Sequence, residues 1–170
     1  MRRIGILGCG NIARIIARHQ DELAELKVIS VFDAITDRSE QLAQQFDGAN
    51  SYASFDEFIK GDFNTVVEAA SVDAVTQYAE TIIRQGNDLI LLSVGALADK
   101  SFRHRLEKIA KAEGKQISIP SGALFGLDKI KFGQVSTLGQ VFLSSTKPPA
   151  ALGLDTGERT RLFSVSAEEC

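Results

Sequence analysis

Short apolar runs alternate with helix-like patterns along the first 120 residues. The run Arg3-Ile4-Gly5-Ile6-Leu7 reads as a strand. Residues 10–25 then carry Ile12, Ile15, Ile16 and Leu23, with Leu26 just beyond, close to the 3.6-residue period of a helix. A second apolar run, Lys27-Val28-Ile29-Ser30-Val31-Phe32, ends in Asp33. Residues 39–46 read as a short amphipathic helix, 50–52 as a brief strand and 55–59 as a short helix. Asn64-Thr65-Val66-Val67-Glu68 is a clearer strand. It precedes a helix over 72–85, whose Val72, Val75, Tyr78, Ala79, Ile82 and Ile83 share one face, with Gly86 placed as a C-cap. Residues 88–92 are almost wholly apolar, the mark of a parallel strand covered on both faces. A helix over 98–112, closed by Gly114, and a strand over 116–119, closed by Pro120, complete the series.

This alternation predicts an α/β fold: a doubly wound parallel sheet with right-handed crossovers, the Rossmann dinucleotide-binding arrangement. Ligands of such sheets sit beyond the carboxyl ends of the strands, where strand order reverses. Five loops are therefore expected on one edge. They are 8–13, Asp33-Ala34, Ala69-Ala70-Ser71, Ser93-Val94-Gly95-Ala96 and Ser121-Gly122-Ala123. Four are built mainly from small residues, which let a flat ring lie against backbone; small residues also suit tight strand-to-helix turns.

The chemistry concentrates in Gly8-Cys9-Gly10-Asn11-Ile12-Ala13. Gly8 permits the tight turn, Gly10 lets backbone N–H groups approach a diphosphate, and small Ala13 lets helix and strand pack closely. The helix N-terminus adds unpaired donors and partial positive charge. Asp33 stands where a carboxylate meets an adenosine ribose 2′-hydroxyl. That favours NAD over NADP. Arg38 is the residue that would accommodate a 2′-phosphate if NADP bound instead; otherwise it is a solvated residue near a helix start.

Composition narrows the partners. The 170 residues carry 19 Lys and Arg against 22 Asp and Glu, a formal net charge of −3, so there is no basic footprint for nucleic acid. No apolar run approaches a membrane span, and the short run after Arg2 and Arg3 does not make a secretory segment. Cys9 and Cys170 show neither a disulfide framework nor metal spacing, so no metal is expected and a reducing cytoplasm is the simplest home. Cys9 reads as a small loop residue whose thiol pKa the helix N-terminus could lower.

The pattern loosens from Lys131. Residues 140–145 resemble a strand, Lys147-Pro148-Pro149 follows, and 162–165 reads as a last strand. Ser166-Ala167-Glu168-Glu169 has the form of a capping box, which announces a helix. The expected organisation is a dinucleotide-binding domain over 1–130 and the beginning of an incomplete α+β catalytic or oligomerisation domain over 131–170.

Several blocks together resemble the L-aspartate dehydrogenase family. They are Gly8-Cys9-Gly10-Asn11-Ile12-Ala13, Val67-Glu68-Ala69-Ala70-Ser71, the run from Asp88 through Ser93-Val94-Gly95-Ala96 to Asp99, Ser121-Gly122-Ala123-Leu124-Phe125-Gly126-Leu127-Asp128 and Thr146-Lys147-Pro148-Pro149. The resemblance implies oxidation of L-aspartate with NAD or NADP to iminoaspartate, a link to NAD biosynthesis, and a homo-oligomer. It implies a nicotinamide half held by Ala69, Ala70, Ser71, Ser93, Gly95, Ala96 and Ala123, with Gly8, Gly10, Asn11, Ile12 and Asp33 on the rest of the cofactor. Residues 121–126 would border the substrate pocket, where Pro120 and Phe125 depart from the family's small residue and glycine. The family's catalytic histidine would fall beyond Cys170, so the chain is expected to be shortened; His19 and His104 match neither its position nor its motif and read as surface helix residues. Lys147 reads as a plain surface lysine before two prolines. Two other readings stay open: a non-catalytic NAD-binding module or partner subunit, and a methyltransferase using S-adenosylmethionine. Ala13 and the nicotinamide-side loops speak against the second.

Overall fold

The structure is a computed structural model and describes residues 2–22 and 25–120. Strand β1 (Arg2–Leu7) leads to helix α1 (Asn11–Arg18) and a 3-10 turn (Gln20–Glu22), then β2 (Leu26–Phe32) and α2 (Thr36–Ala43). After β3 (Asn50–Tyr52) and the single turn α3 (Phe55–Phe58) come β4 (Thr65–Glu68), α4 (Val72–Arg84) and β5 (Asp88–Leu91). A 3-10 turn (Val94–Ala98), α5 (Lys100–Glu113) and β6 (Ile117–Ser118) follow. All pairings are parallel and the strand order is β3-β2-β1-β4-β5-β6. The doubly wound fold read from the sequence is the fold observed. Order reverses between β1 and β4, where Leu7 pairs with Phe32 on one side and Glu68 on the other.

Alternation along the strands feeds two cores. On one face Leu7, Val66, Leu89 and Leu91 pack with Val75, Ile82 and Ile83 of α4, Phe102 and Leu106 of α5, and Phe58 of α3. On the other, Ile4, Ile6, Val31 and Val67 pack with Ala13 and Ala17 of α1 and Leu42 of α2. Gly5 faces the first core without a side chain for a steric reason. A Cβ there would lie 2.9 Å from the Phe58 ring and 3.0 Å from that of Phe63.

Three helices differ from the sequence reading. Helix α1 stops at Arg18, because the chain must turn back to enter β2: the Arg2 N–H already donates to the Glu25 carbonyl at 2.8 Å. Leu26, which extends the helical period, is a strand residue paired with Arg2. Helix α2 begins at Thr36 rather than 39, since Ser39 is an interior residue, fully buried, whose hydroxyl bonds the Thr36 carbonyl and Ser51. The expected helix over 98–112 is a 3-10 turn followed by α5, whose start is set by Asp99. Its carboxylate accepts from the Ser101 and Phe102 N–H groups. Gly114 closes α5 in the left-handed region at φ +62°, as its position predicts.

Candidate dinucleotide-binding site

The turn after β1 is held by three contacts. The Gly8 N–H donates to the Phe32 carbonyl at 2.8 Å, and the Ala69 N–H donates to the Leu7 carbonyl at 2.8 Å. The Cys9 N–H donates to Asp33 Oδ2 at 2.7 Å. Gly8 has φ +95°, and a Cβ on it would fall 2.6 Å from the Ala70 backbone. Only glycine satisfies both conditions. The turn therefore lies directly against the loop after β4, at the point where strand order reverses.

Gly10 is the N-cap of α1 and offers no side-chain cap to the first-turn N–H groups. A Cβ built on it meets nothing within 4 Å, so the space above the helix start is open. Open space, uncapped donors and the positive end of a helix are what a diphosphate requires. The residues present fit that group. Asn11 and Ile12 form the exposed first turn beside it.

Asp33 has a second task that its sequence position does not reveal. Besides holding Cys9 through Oδ2, it accepts from the Ile35 N–H at 2.9 Å through Oδ1. Each carboxylate oxygen accepts about two hydrogen bonds, so capacity remains for a hydroxyl. Cys9 itself is fully buried. Burial pushes its thiol up to about 12, the Asp33 charge adds to the rise, and the Arg14 and Arg38 charges oppose it. The small loop residue read from the sequence is what is observed, and the lowering that a helix N-terminus could give is not: burial raises the thiol, which stays protonated.

The loops after β4 and β5 meet through Glu68. Ser71 caps α4, its hydroxyl accepting from the Ala74 N–H at 3.1 Å, and the Ser93 hydroxyl donates to Glu68. A Cβ on Gly95 would stand 3.1 Å from a Val72 methyl, so the two loops are in close contact. Ala69 is half-buried and Ala70 exposed, whereas Ala96 is buried in the core between α4 and α5. Ala123, the 121–126 segment, Lys147, Cys170 and the boundary at residue 130 lie outside the described residues. His19 and His104 are both exposed, as expected of surface helix positions.

Sequence reasoning named Ile12 and Val94 but did not read the exposure of the apolar side chains around these loops. Ile35, Val72 and Val94 are large and close to half exposed, as is Ile12. Ile35 follows Asp33, while Val72 and Val94 flank the small-residue loops. Their signal was an apolar residue three or four places past a strand end. A groove of about 460 Å³ lies elsewhere among the described residues. It lies on the sheet face that carries α1 and α2, with Ile4, Ile16, Val67, Ile90 and Leu92 among its lining, and not at the strand ends. No group of three or more His, Cys, Asp or Glu suited to a metal ion occurs among the described residues. No described helix is long and apolar enough to cross a membrane.

A family model described as "Homoserine dehydrogenase, NAD binding domain" matches residues 6–120. The chain belongs to this family of NAD-binding domains. The chain is 49% identical over 170 residues to an L-aspartate dehydrogenase of Methanospirillum hungatei, covering all of this chain and 66% of that protein. It is 40% identical over 154 residues to one from Methanocaldococcus jannaschii, covering 89% of this chain and 57% of that protein. The chain thus spans less than two thirds of these relatives' length. The solved aspartate dehydrogenase of Thermotoga maritima is 29% identical, with a TM-score of 0.63 over 96% of this chain and 63% of that one. The WlbA dehydrogenase of Chromobacterium violaceum, solved with NADH, shares the fold at 17% identity. Its TM-score is 0.67 over 78% of this chain and 39% of that one. The resemblance to L-aspartate dehydrogenases carried by the sequence blocks is borne out, and so is the nicotinamide dinucleotide as the cofactor class.

Proposed function

We propose that this chain is the dinucleotide-binding part of an L-aspartate dehydrogenase-like oxidoreductase. In that reaction a hydride leaves the Cα of L-aspartate for NAD(P), giving iminoaspartate, which hydrolyses to oxaloacetate or feeds NAD biosynthesis. The observation that carries the reading is the paired turn at the strand reversal, where Gly8 lies against Ala70 and the space above Gly10 is open at an uncapped helix start. The sequence relatives supply the substrate.

When bound, the nicotinamide supplies the hydride acceptor. The chain's own residues supply the rest of its half of the task. The first-turn N–H groups of α1 bind the diphosphate. Asp33 holds the glycine turn in register through Cys9 and accepts from a ribose hydroxyl, which favours NAD over the phosphorylated form. Ala69, Ala70, Ser71, Ser93, Gly95 and Ala96 belong to the loops of the nicotinamide side, where Val72 and Val94 exclude water from a flat ring. Proton handling belongs to a histidine that the resemblance places beyond Cys170; the homo-oligomer rests on the same resemblance, and the cytoplasmic setting on the cysteine usage. Calorimetric titration of the chain with NAD, NADP and S-adenosylmethionine tests the reading. NAD is expected to bind more tightly than NADP, and S-adenosylmethionine not at all. Absence of binding by both dinucleotides to folded protein overturns it. A chain of full family length that binds NAD without oxidising L-aspartate would make it a binding module instead.

A further inference from the structure

Glu68 ends the strand Thr65–Glu68 as a buried carboxylate, 1% exposed, and is the one charged residue among the buried described residues. Four donors converge on its two oxygens. Oε1 accepts from the Ala70 N–H at 2.8 Å and the Ser93 hydroxyl at 2.9 Å. Oε2 accepts from the Leu92 N–H at 3.2 Å and the Ser93 N–H at 2.9 Å. That fills the lone-pair sites of an ionised carboxylate. Every donor is neutral, and Glu68 takes part in none of the ion pairs among the described residues. A buried anion answered only by dipoles keeps its field, because low local polarity screens it little.

The two loops it ties together, after β4 and after β5, are those assigned above to the nicotinamide side. We propose that Glu68 is the positioning residue of that side: it holds both loops in one register and sets a fixed negative charge beneath the ring. The inference rests on the proposed function. Its chemical content is specific, since the nicotinamide ring is cationic when oxidised and neutral when reduced. A fixed anion nearby therefore favours the oxidised form. A brace serving stability alone makes no such distinction, and neither does it spare the adenosine half of the site.

Titration of the intact chain with NAD+, NADH and ADP-ribose separates these roles. In Glu68→Gln the charge is lost and the amide nitrogen faces at least one backbone N–H donor, that of Ala70 if it takes the place of Oε1. NAD+ affinity is expected to fall about tenfold more than NADH affinity, with ADP-ribose changed less than about twofold. Glu68→Asp keeps the charge, so its ratio of NAD+ to NADH affinity is expected to stay within about twofold of the parent, even where both weaken. Should Glu68→Gln not fold, Ser93→Ala serves in its place. Removing one donor leaves the charge less compensated, so the ratio moves the other way, toward NAD+, by about threefold. Equal loss for all three ligands, or a ratio unmoved in the folded variants, overturns the proposal. A parent chain that binds ADP-ribose and NAD, with variants that show no such shift, counts against Glu68 alone; a parent chain that binds nothing counts against the proposed function.

Discussion

At Gly8 two demands coincide. The φ of +95° excludes most side chains, and the Ala70 backbone would stand 2.6 Å from any Cβ. Gly8→Ala is therefore expected to cost about 2–4 kcal/mol of stability and to abolish dinucleotide binding, read by chemical unfolding and calorimetry. Cys9 makes an opposite case, a residue whose chemistry is suppressed by its surroundings. Its thiol is pushed from an ordinary value of 9.0 up to about 12 in the fold. Below about pH 9 both folded and unfolded chains hold the proton, so this residue adds no pH dependence there. Above that, the unfolded chain releases it first, and stability drains away as pH climbs toward about 12. The stability difference between the parent and Cys9→Ala should shrink by about 1.4 kcal/mol per pH unit in that window. A thiol reagent should leave Cys9 unmodified until the protein unfolds. Glycine spacing was legible for Gly8; the fate of Cys9 was not, because burial is a property of what packs around it.

At the scale of elements, the strands were the more legible. Their apolar runs match the observed strands to within one residue at most ends, since a strand covered on both faces has no polar alternative there. Helix starts were less so, being set by side-chain caps that compete with the apolar period. Asp99 shows the competition: the period extends back to Ala98, yet α5 begins where the Asp99 carboxylate meets two backbone N–H groups. Asp99→Ala should lower stability by about 1 kcal/mol, measured as a shift in urea midpoint. His104→Ala, on the exposed face of the same helix, should change it by less than about 0.5 kcal/mol. Ser39 was misread as a helix start for a related reason. Its hydroxyl satisfies itself inside the fold, on Thr36 and Ser51, rather than at a terminus.

For the molecule as a whole, the two cores share one sheet, so ligand binding at the strand ends should stabilise both faces together. NAD at about 100 times its dissociation constant is expected to add about 2.7 kcal/mol, seen as a single cooperative upward shift in Tm. Separate unfolding of the two sheet faces within residues 2–120, with only one responding to NAD, would contradict a shared fold. The 460 Å³ groove lies on a sheet face rather than at the strand ends, so a cavity by itself would have pointed away from the glycine turn.

Strand number, parallel pairing and the glycine turn follow from the linear chain, because periodicity and backbone freedom are local properties. The family blocks add the cofactor class. Which groups converge across the sheet is a different matter. Asp33 reaching back 24 residues to Cys9, and Glu68 reaching forward 25 to Ser93, depend on strand neighbours far apart in the chain. Those contacts form only when β1 stands between β2 and β4, and when β4 stands beside β5. Tertiary structure alone decides them, since a carboxylate's role depends on the donors brought within its reach.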